Sequence, residues 1–106
     1  MLLELRQYRT KPGKRETWAR YFHDEVEPFQ RAKGMNITGA YIAEEEDDLF
    51  VWTREFASEE ERVRLYKEVY ESDEWKNRIA LPIPDMLDRD RMKVVRLVPL
   101  VFPAEG

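Results

Sequence analysis

Apolar and polar residues alternate along the first ten positions of the chain. In "LLELRQYRT" (residues 2–10) Leu3 and Leu5 fall on one side, and Glu4, Arg6 and Tyr8 fall on the other. A period of two residues is typical of a β-strand. The alternation alone leaves open whether the polar stripe faces water or lines a pocket.

After the break "KPGK", the apolar spacing changes to three and four residues, from Lys14 to about Phe29. This period predicts an amphipathic helix. With 100° per residue, Trp18, Phe22 and Phe29 centre its apolar side. Pro28 removes one helical hydrogen bond and is expected to loosen the last turn.

Glu25 falls within the same apolar stripe of this helix. A buried carboxylate without a partner costs several kcal/mol or becomes protonated. We therefore expect Glu25 to be buried and to pair with Arg6 or Arg54 of the sheet. His23 lies at the flank of the stripe, where we expect it to be at most half exposed; it is either a proton carrier or a border histidine with a water partner.

The rest of the pattern completes a single domain over residues 1–106. Strands are predicted for residues 35–43, 49–56 and 91–101, with Pro99 restricting the last to an edge or a strand end. A capping box at "SEEE" starts a second helix, and Ser72 starts a short one. The order strand, helix, strand, strand, helix, strand predicts a ferredoxin-like α+β fold, with four antiparallel strands and helices on one face.

Apolar residues are predicted on both faces of this sheet. In the third strand Phe50, Trp52 and Phe56 point one way, and Leu49 and Val51 point the other. Two helices cover only one face, and an uncovered apolar face of this size usually marks an interface. We therefore expect a homodimer related by a two-fold axis.

Composition and charge exclude several classes of function. The net charge of −4 argues against a nucleic-acid partner, since proteins that bind phosphate backbones concentrate Lys and Arg on one face. The chain has no cysteine, one histidine and no Gly-rich phosphate loop, which disfavours thiol chemistry, a multi-histidine zinc site and nucleotide binding. The acidic run "EEEDD" (residues 44–48) is interpreted as an exposed hairpin loop, the alternative being a metal site. We expect no cofactor, no membrane span, no signal peptide and a cytoplasmic location.

Three segments together resemble the NIPSNAP family. They are the opening "LELRQYRTKPGK", the strand and helix start "VWTREFASEEER" (residues 51–62), and "SDEW" (residues 72–75). The sequence departs from the family pattern at Leu2, where an aromatic residue or Ile is usual, and at Phe56, where Tyr is frequent. The resemblance implies a dimeric α/β barrel, in which two ferredoxin-like sheets close against each other.

The wider superfamily implied by this resemblance includes cofactor-independent monooxygenases, haem-degrading enzymes and isomerases, with pockets between helices and sheet. The resemblance therefore implies that the stripe of Glu4, Arg6 and Tyr8 points inward. One hypothesis is therefore an enzyme of monooxygenase type that holds a small aromatic or apolar ligand. The competing hypothesis is a non-catalytic binding or scaffolding homodimer, whose charges only hold the sheet to the helices. The candidate residues are Tyr8, His23 and Glu25 for catalysis, and Arg6, Trp52 and Arg54 for substrate binding.

Overall fold

The computed structural model describes residues 1–102 of the chain. In chain order the elements are β1 (Leu2–Thr10), α1 (Arg15–Tyr21), a first π-helical segment (Phe22–Val26), α2 (Glu27–Ala32), β2 (Asn36–Ile42), β3 (Leu49–Phe56), α3 (Glu59–Tyr70), a second π-helical segment (Trp75–Ile79), α4 (Ile83–Met86) and β4 (Leu87–Leu97).

The four strands form one antiparallel sheet in the order β2-β3-β1-β4. β2 and β3 follow each other along the chain, form a hairpin and are neighbours in the sheet. β1 lies between β3 and β4. This is the ferredoxin-like α+β arrangement that the element order predicts, and the prediction is confirmed.

The helix after β1 contains a π-helical turn, which the apolar spacing does not predict. Its amide-to-carbonyl bond runs from Glu27 to Phe22, five residues apart, which takes up one more residue than an α-helical turn. As a result Trp18, Phe22, Val26 and Gln30, spaced four residues apart, all face the sheet and are buried. Phe29, expected at the centre of the apolar side, is only half-buried.

The second long helix, α3, starts at the predicted capping box. Ser58 Oγ accepts a hydrogen bond from the Glu61 amide at 3.1 Å, and the Glu61 carboxylate accepts one from the Ala57 amide at 3.3 Å. Leu65 and Val69 pack into the core beneath α3. The capping residues thus fix where α3 begins, and so which of its side chains reach the sheet.

The last strand differs from its predicted range of 91–101. It begins at Leu87 because a bulge in its pairing with β1 lets Thr10 pair with Leu87, so the two strands pair from Leu3 to Thr10 of β1. It ends at Leu97, whose partner is Leu3 near the start of β1. Only one residue of β1, Leu2, lies beyond that point. As expected from Pro99, β4 is an edge strand.

The two faces of the sheet differ in burial. Phe50, Trp52 and Phe56 lie in the core under the helices, as predicted. The opposite face, called here the outer sheet face, carries the half-buried or exposed residues Leu3, Leu5, Val51, Val95 and Leu97. Within residues 1–102, no helix has the length and apolarity required to cross a membrane.

Candidate functional site

The polar stripe of β1 faces the helices. Glu4 and Tyr8 are buried and Arg6 is half-buried. In the register with β3, Glu4 lies opposite Arg54 and Arg6 lies opposite Trp52. The expectation that this stripe points inward is therefore confirmed.

Arg54 is the centre of a buried group of polar side chains, called here the Arg54 network. Its Nε donates to Glu4 Oε1 at 2.7 Å, and its Nη1 donates to Gln30 Oε1 at 2.7 Å and Tyr70 Oη at 2.8 Å. Its Nη2 donates to Tyr66 Oη at 2.9 Å. Arg54 is fully buried, so protein groups replace the hydration shell that a guanidinium has in water.

The Glu4 carboxylate stays ionised inside this network. Burial alone would raise the pKa of Glu4, but the Arg54 charge and the hydrogen bonds from Tyr66 and Arg54 outweigh it, and the pKa is lowered. Tyr66 donates its hydroxyl proton to Glu4 Oε2. The pair Glu4–Arg54 therefore joins β1 to β3 and, through the tyrosines, both strands to α3.

Arg6 lies beside this network but is bound differently. Its Nε donates to Tyr8 Oη at 2.7 Å, while Nη1 makes long contacts of 3.4 Å to Glu4 and 3.3 Å to Tyr66. The guanidinium carbon lies 5.5 Å from the ring centroids of both Tyr8 and Trp52, within cation–π range. Its side chain keeps 15% of its surface exposed.

A cavity of about 380 Å³ opens next to Arg6, between the helices and the sheet. Its aromatic lining consists of Tyr8, Trp18, Trp52, Tyr70 and Trp75. Aliphatic side chains and Met92 line most of the remainder. A volume of this size and a largely apolar wall with a few polar groups are typical of small-molecule sites.

Two buried donors on the cavity residues lack acceptors. Trp18 Nε1 and Trp52 Nε1 have no hydrogen-bond partner among residues 1–102, although both rings are almost completely buried. Buried tryptophan N–H groups normally find a partner, and each one left without an acceptor costs roughly 1–3 kcal/mol.

The structure brings Arg6, Tyr8 and Trp52 together on the wall of this cavity. Arg54 does not line the cavity. The other side chains of the Arg54 network surround its guanidinium and hydrogen-bond to it. Four of the six predicted site residues are thus adjacent, and three of them line the cavity.

Glu25 lies outside this group, and the expectation that it pairs with Arg6 or Arg54 is wrong. Its carboxylate is bound by Arg78 Nη1 at 2.8 Å on the surface, and 39% of its side chain is exposed. The π-helical turn is the physical reason: it places Val26 where an α-helix would place Glu25.

His23 is also displaced outward. Its side chain is 80% exposed and lies 3.0 Å from Asp24, whereas at most half exposure was expected. Phe22, the residue before it, takes the buried position on this turn. The predicted catalytic roles of His23 and Glu25 stay predictions, but neither side chain lines the cavity.

Three further polar residues line the cavity that were not predicted as site residues: Gln30, Tyr70 and Arg89. A signal for Gln30 was present, because it continues the row Trp18, Phe22, Val26 at the same spacing of four. A polar residue in such a row is expected to meet a polar partner. Among residues 1–102 no group of three or more acidic or histidine side chains is placed to hold a metal ion.

A model of the NIPSNAP family matches residues 3–101 of the chain. The protein belongs to the NIPSNAP family. A NIPSNAP-family protein from Agrobacterium tumefaciens has a similar structure, with 20% identity and a TM-score of 0.84 over 97% of this chain and 91% of that one. A NIPSNAP-like domain protein from Burkholderia xenovorans shows 22% identity and a TM-score of 0.83, over 98% and 89% of the two chains.

The fold extends beyond NIPSNAP proteins. An antibiotic biosynthesis monooxygenase has a TM-score of 0.68 at 16% identity, over 95% of this chain and 100% of that one. At these identities the likeness concerns the fold alone. Curated proteins yield no significant match.

Proposed function

We propose that this NIPSNAP-family protein binds a small, mostly apolar and aromatic ligand in the cavity between its helices and its sheet. The observation that carries the proposal is the cavity wall, which combines five aromatic rings with Arg6. The Tyr8 ring centroid lies 6.0 Å from that of Trp18 and 6.1 Å from that of Trp52. Such a wall suits a flat ring, which buries apolar area against several faces and edges at once.

The activity that we propose for the bound ligand is oxidation of monooxygenase type. Proton abstraction from a ligand needs a positioned base. No carboxylate or histidine lines the cavity among the described residues. Burial raises the pKa of Tyr8, so its phenol keeps its proton at neutral pH and acts as a hydrogen-bond donor. These residues therefore favour binding and polarising a ligand oxygen over removing a proton.

The scaffolding hypothesis is supported by one specific observation. The guanidinium of Arg54 bonds to four protein side chains, which fits a structural role in joining β1, β3, α2 and α3. This observation concerns Arg54 alone. At the cavity, Arg6 has one short hydrogen bond, to Tyr8, and the indole N–H groups of Trp18 and Trp52 have no acceptor among residues 1–102.

Binding is tested directly by tryptophan fluorescence, because the chain has three tryptophans and all of them line the cavity. We expect 2-naphthalenemethanol, a neutral aromatic probe, to change the emission and to raise Tm in a concentration-dependent manner. The variant Met92→Phe, which adds bulk to the cavity wall, should weaken binding. The matched control Val63→Phe, exposed on α3 and outside the cavity, should not. Unchanged emission and Tm at millimolar concentrations of this probe and of its anionic and cationic analogues would refute the binding proposal.

We also propose that two copies of the chain associate through the outer sheet face. Its residues Leu3, Leu5 and Val51 are half-buried in the single subunit. Beyond β4, Val98 to Phe102 continue as an exposed apolar segment, with Leu100 83% exposed. Exposed apolar side chains that continue from a sheet face into the following segment are typical of a subunit interface.

Sedimentation at micromolar concentration tests the assembly. We expect a dimer for the wild type and a shift towards monomer for Leu5→Glu, which places a charge on the outer sheet face. Thr17→Glu, which adds the same charge on the exposed surface of α1, serves as the control. A monomeric wild type would contradict the proposed homodimer.

A further inference from the structure

The charges around Arg6 do not balance. Arg6 and Arg54 are adjacent cations, and Glu4 is the one carboxylate that contacts either of them among residues 1–102. Arg54 holds Glu4 Oε1 at 2.7 Å, whereas Arg6 reaches the same oxygen at 3.4 Å. Two guanidiniums and one carboxylate together carry one net positive charge. Arg6 is the cation with the longer contact to Glu4, so the uncompensated charge is assigned to it. A largely buried charge without a counter-charge is unfavourable.

Arg6 and Tyr8 both retain hydrogen-bonding capacity towards the cavity they line. Arg6 uses Nε for Tyr8 and Nη1 for Glu4 and Tyr66, while its Nη2 makes no hydrogen bond within residues 1–102. Tyr8 accepts from Arg6 Nε, and its own hydroxyl proton is donated to no acceptor in the same part of the chain. A guanidinium N–H and a phenol O–H side by side match the lone pairs of a single anionic oxygen.

We infer that the cavity selects a flat, apolar monoanion, whose carboxylate or enolate oxygen is bound by Arg6 and Tyr8. This inference rests on the proposed binding function and names its ligand class. The unpartnered indole N–H groups of Trp18 and Trp52 belong to the same wall and are also donors. Among the described lining residues, the side-chain groups left without partners are thus donors or cations, which is the complement of an oxyanion.

Arg89 extends the same preference along the cavity. It is exposed on β4 and is the second charged residue of the lining besides Arg6. With both charged lining residues positive, the cavity attracts anions and disfavours cations. Arg54 takes no direct part, because it is fully buried within the Arg54 network and does not line the cavity.

The test compares three probes that share one ring system and differ in charge: 2-naphthoate, 2-naphthalenemethanol and 2-naphthylmethylammonium. At pH 7 we expect the carboxylate to bind roughly tenfold to a hundredfold more tightly than the alcohol, the range for a hydrogen bond to a charged group. We expect the ammonium probe to bind most weakly. Dissociation constants come from calorimetry and from tryptophan fluorescence on the intact chain.

Variants then assign the selectivity to residues. Arg6→Gln should reduce the affinity for naphthoate to about that for the alcohol, while Arg9→Gln, on the same strand but on the opposite face of the sheet, should keep the preference. Tyr8→Phe keeps the charge and should lower naphthoate affinity by roughly tenfold. If Arg6→Gln does not fold, Tyr8→Phe and the wild-type probe series still decide the matter.

The outcomes separate this inference from the proposed function. Naphthoate binding no tighter than the alcohol, or ammonium binding tightest, overturns the anion inference while the binding site stands. A preference that survives in Arg6→Gln overturns the assignment to Arg6. If none of the three probes binds, the proposed binding function fails, and the inference fails with it.

Discussion

Arg54 and Arg6 lie on neighbouring strands and face the same layer of helices, yet their surroundings differ. Arg54 is fully buried and bonds to Glu4, Gln30, Tyr66 and Tyr70 at 2.7–2.9 Å. Arg6 has one short bond, to Tyr8, and borders a cavity of about 380 Å³. The type of residue therefore does not by itself define a binding group. A cation becomes available to a ligand only where the fold leaves its donors without protein partners.

The strongest test of this comparison removes the carboxylate on which the Arg54 network depends. Glu4→Gln leaves two adjacent guanidiniums without a counter-charge, and we expect the free energy of unfolding to fall by about 3–5 kcal/mol. Urea denaturation measures the loss. Glu16→Gln, an exposed acid on α1, is the matched control and should change stability little. A loss no larger than that of the control would show that the network does not stabilise the fold.

Acid should weaken the Arg54 network in the wild type. The pKa of Glu4 lies below its ordinary value of 4.5 in the folded protein, so the folded state binds this proton less readily than the unfolded chain. The stability contributed by Glu4 is therefore fully present above the unfolded-state pKa and is lost as pH falls through the folded-state value.

Denaturation of wild type and Glu4→Gln at a series of pH values checks this sign. The stability difference between them should shrink as pH falls below 4.5. Other acids with lowered pKa, such as Asp48, are present in both proteins and cancel in the difference. A difference that stays constant down to the acid unfolding region would contradict the prediction.

Tyr70 belongs to both regions, since it accepts from Arg54 Nη1 at 2.8 Å and also lines the cavity. Tyr70→Phe keeps the ring and removes the hydroxyl. We expect a stability loss of about 0.5–1.5 kcal/mol, because Arg54 Nη1 keeps its bond to Gln30. Binding of the naphthalenemethanol probe should change little, because the aromatic surface remains. A large loss of binding with unchanged stability would place the hydroxyl in the ligand site instead.

The smallest effect is expected at Glu25, which lies outside both regions. Glu25→Gln removes an exposed ion pair with Arg78, and such pairs contribute little. We expect nearly unchanged Tm and unchanged affinity for all naphthalene probes, measured together with His23→Gln. A clear loss of ligand binding or of an established turnover in either variant would support the catalytic roles predicted for these residues from the sequence.

Local patterns were sufficient to predict the order of the main elements. Strand alternation placed Glu4, Arg6 and Tyr8 on one face of β1, as the structure has them. The capping box located the start of α3. These predictions held because each depends on residues two to four positions apart, whose relative directions are set by backbone geometry.

Only the tertiary structure decided which charged residues meet. From the helical phase, Glu25 was expected at the buried position. In the structure Val26 is buried there instead and Gln30 reaches Arg54, because the additional residue in the π-helical turn rotates all residues that follow. The end of β4 likewise depended on where β1 stops offering partners. The sequence by itself determined the NIPSNAP fold and the inward polar stripe. Arg54 has its hydrogen-bond partners within the protein, whereas Arg6, among residues 1–102, keeps donors free for a ligand. This difference depends on contacts between segments far apart in sequence, such as β1 and α3, which no local pattern encodes.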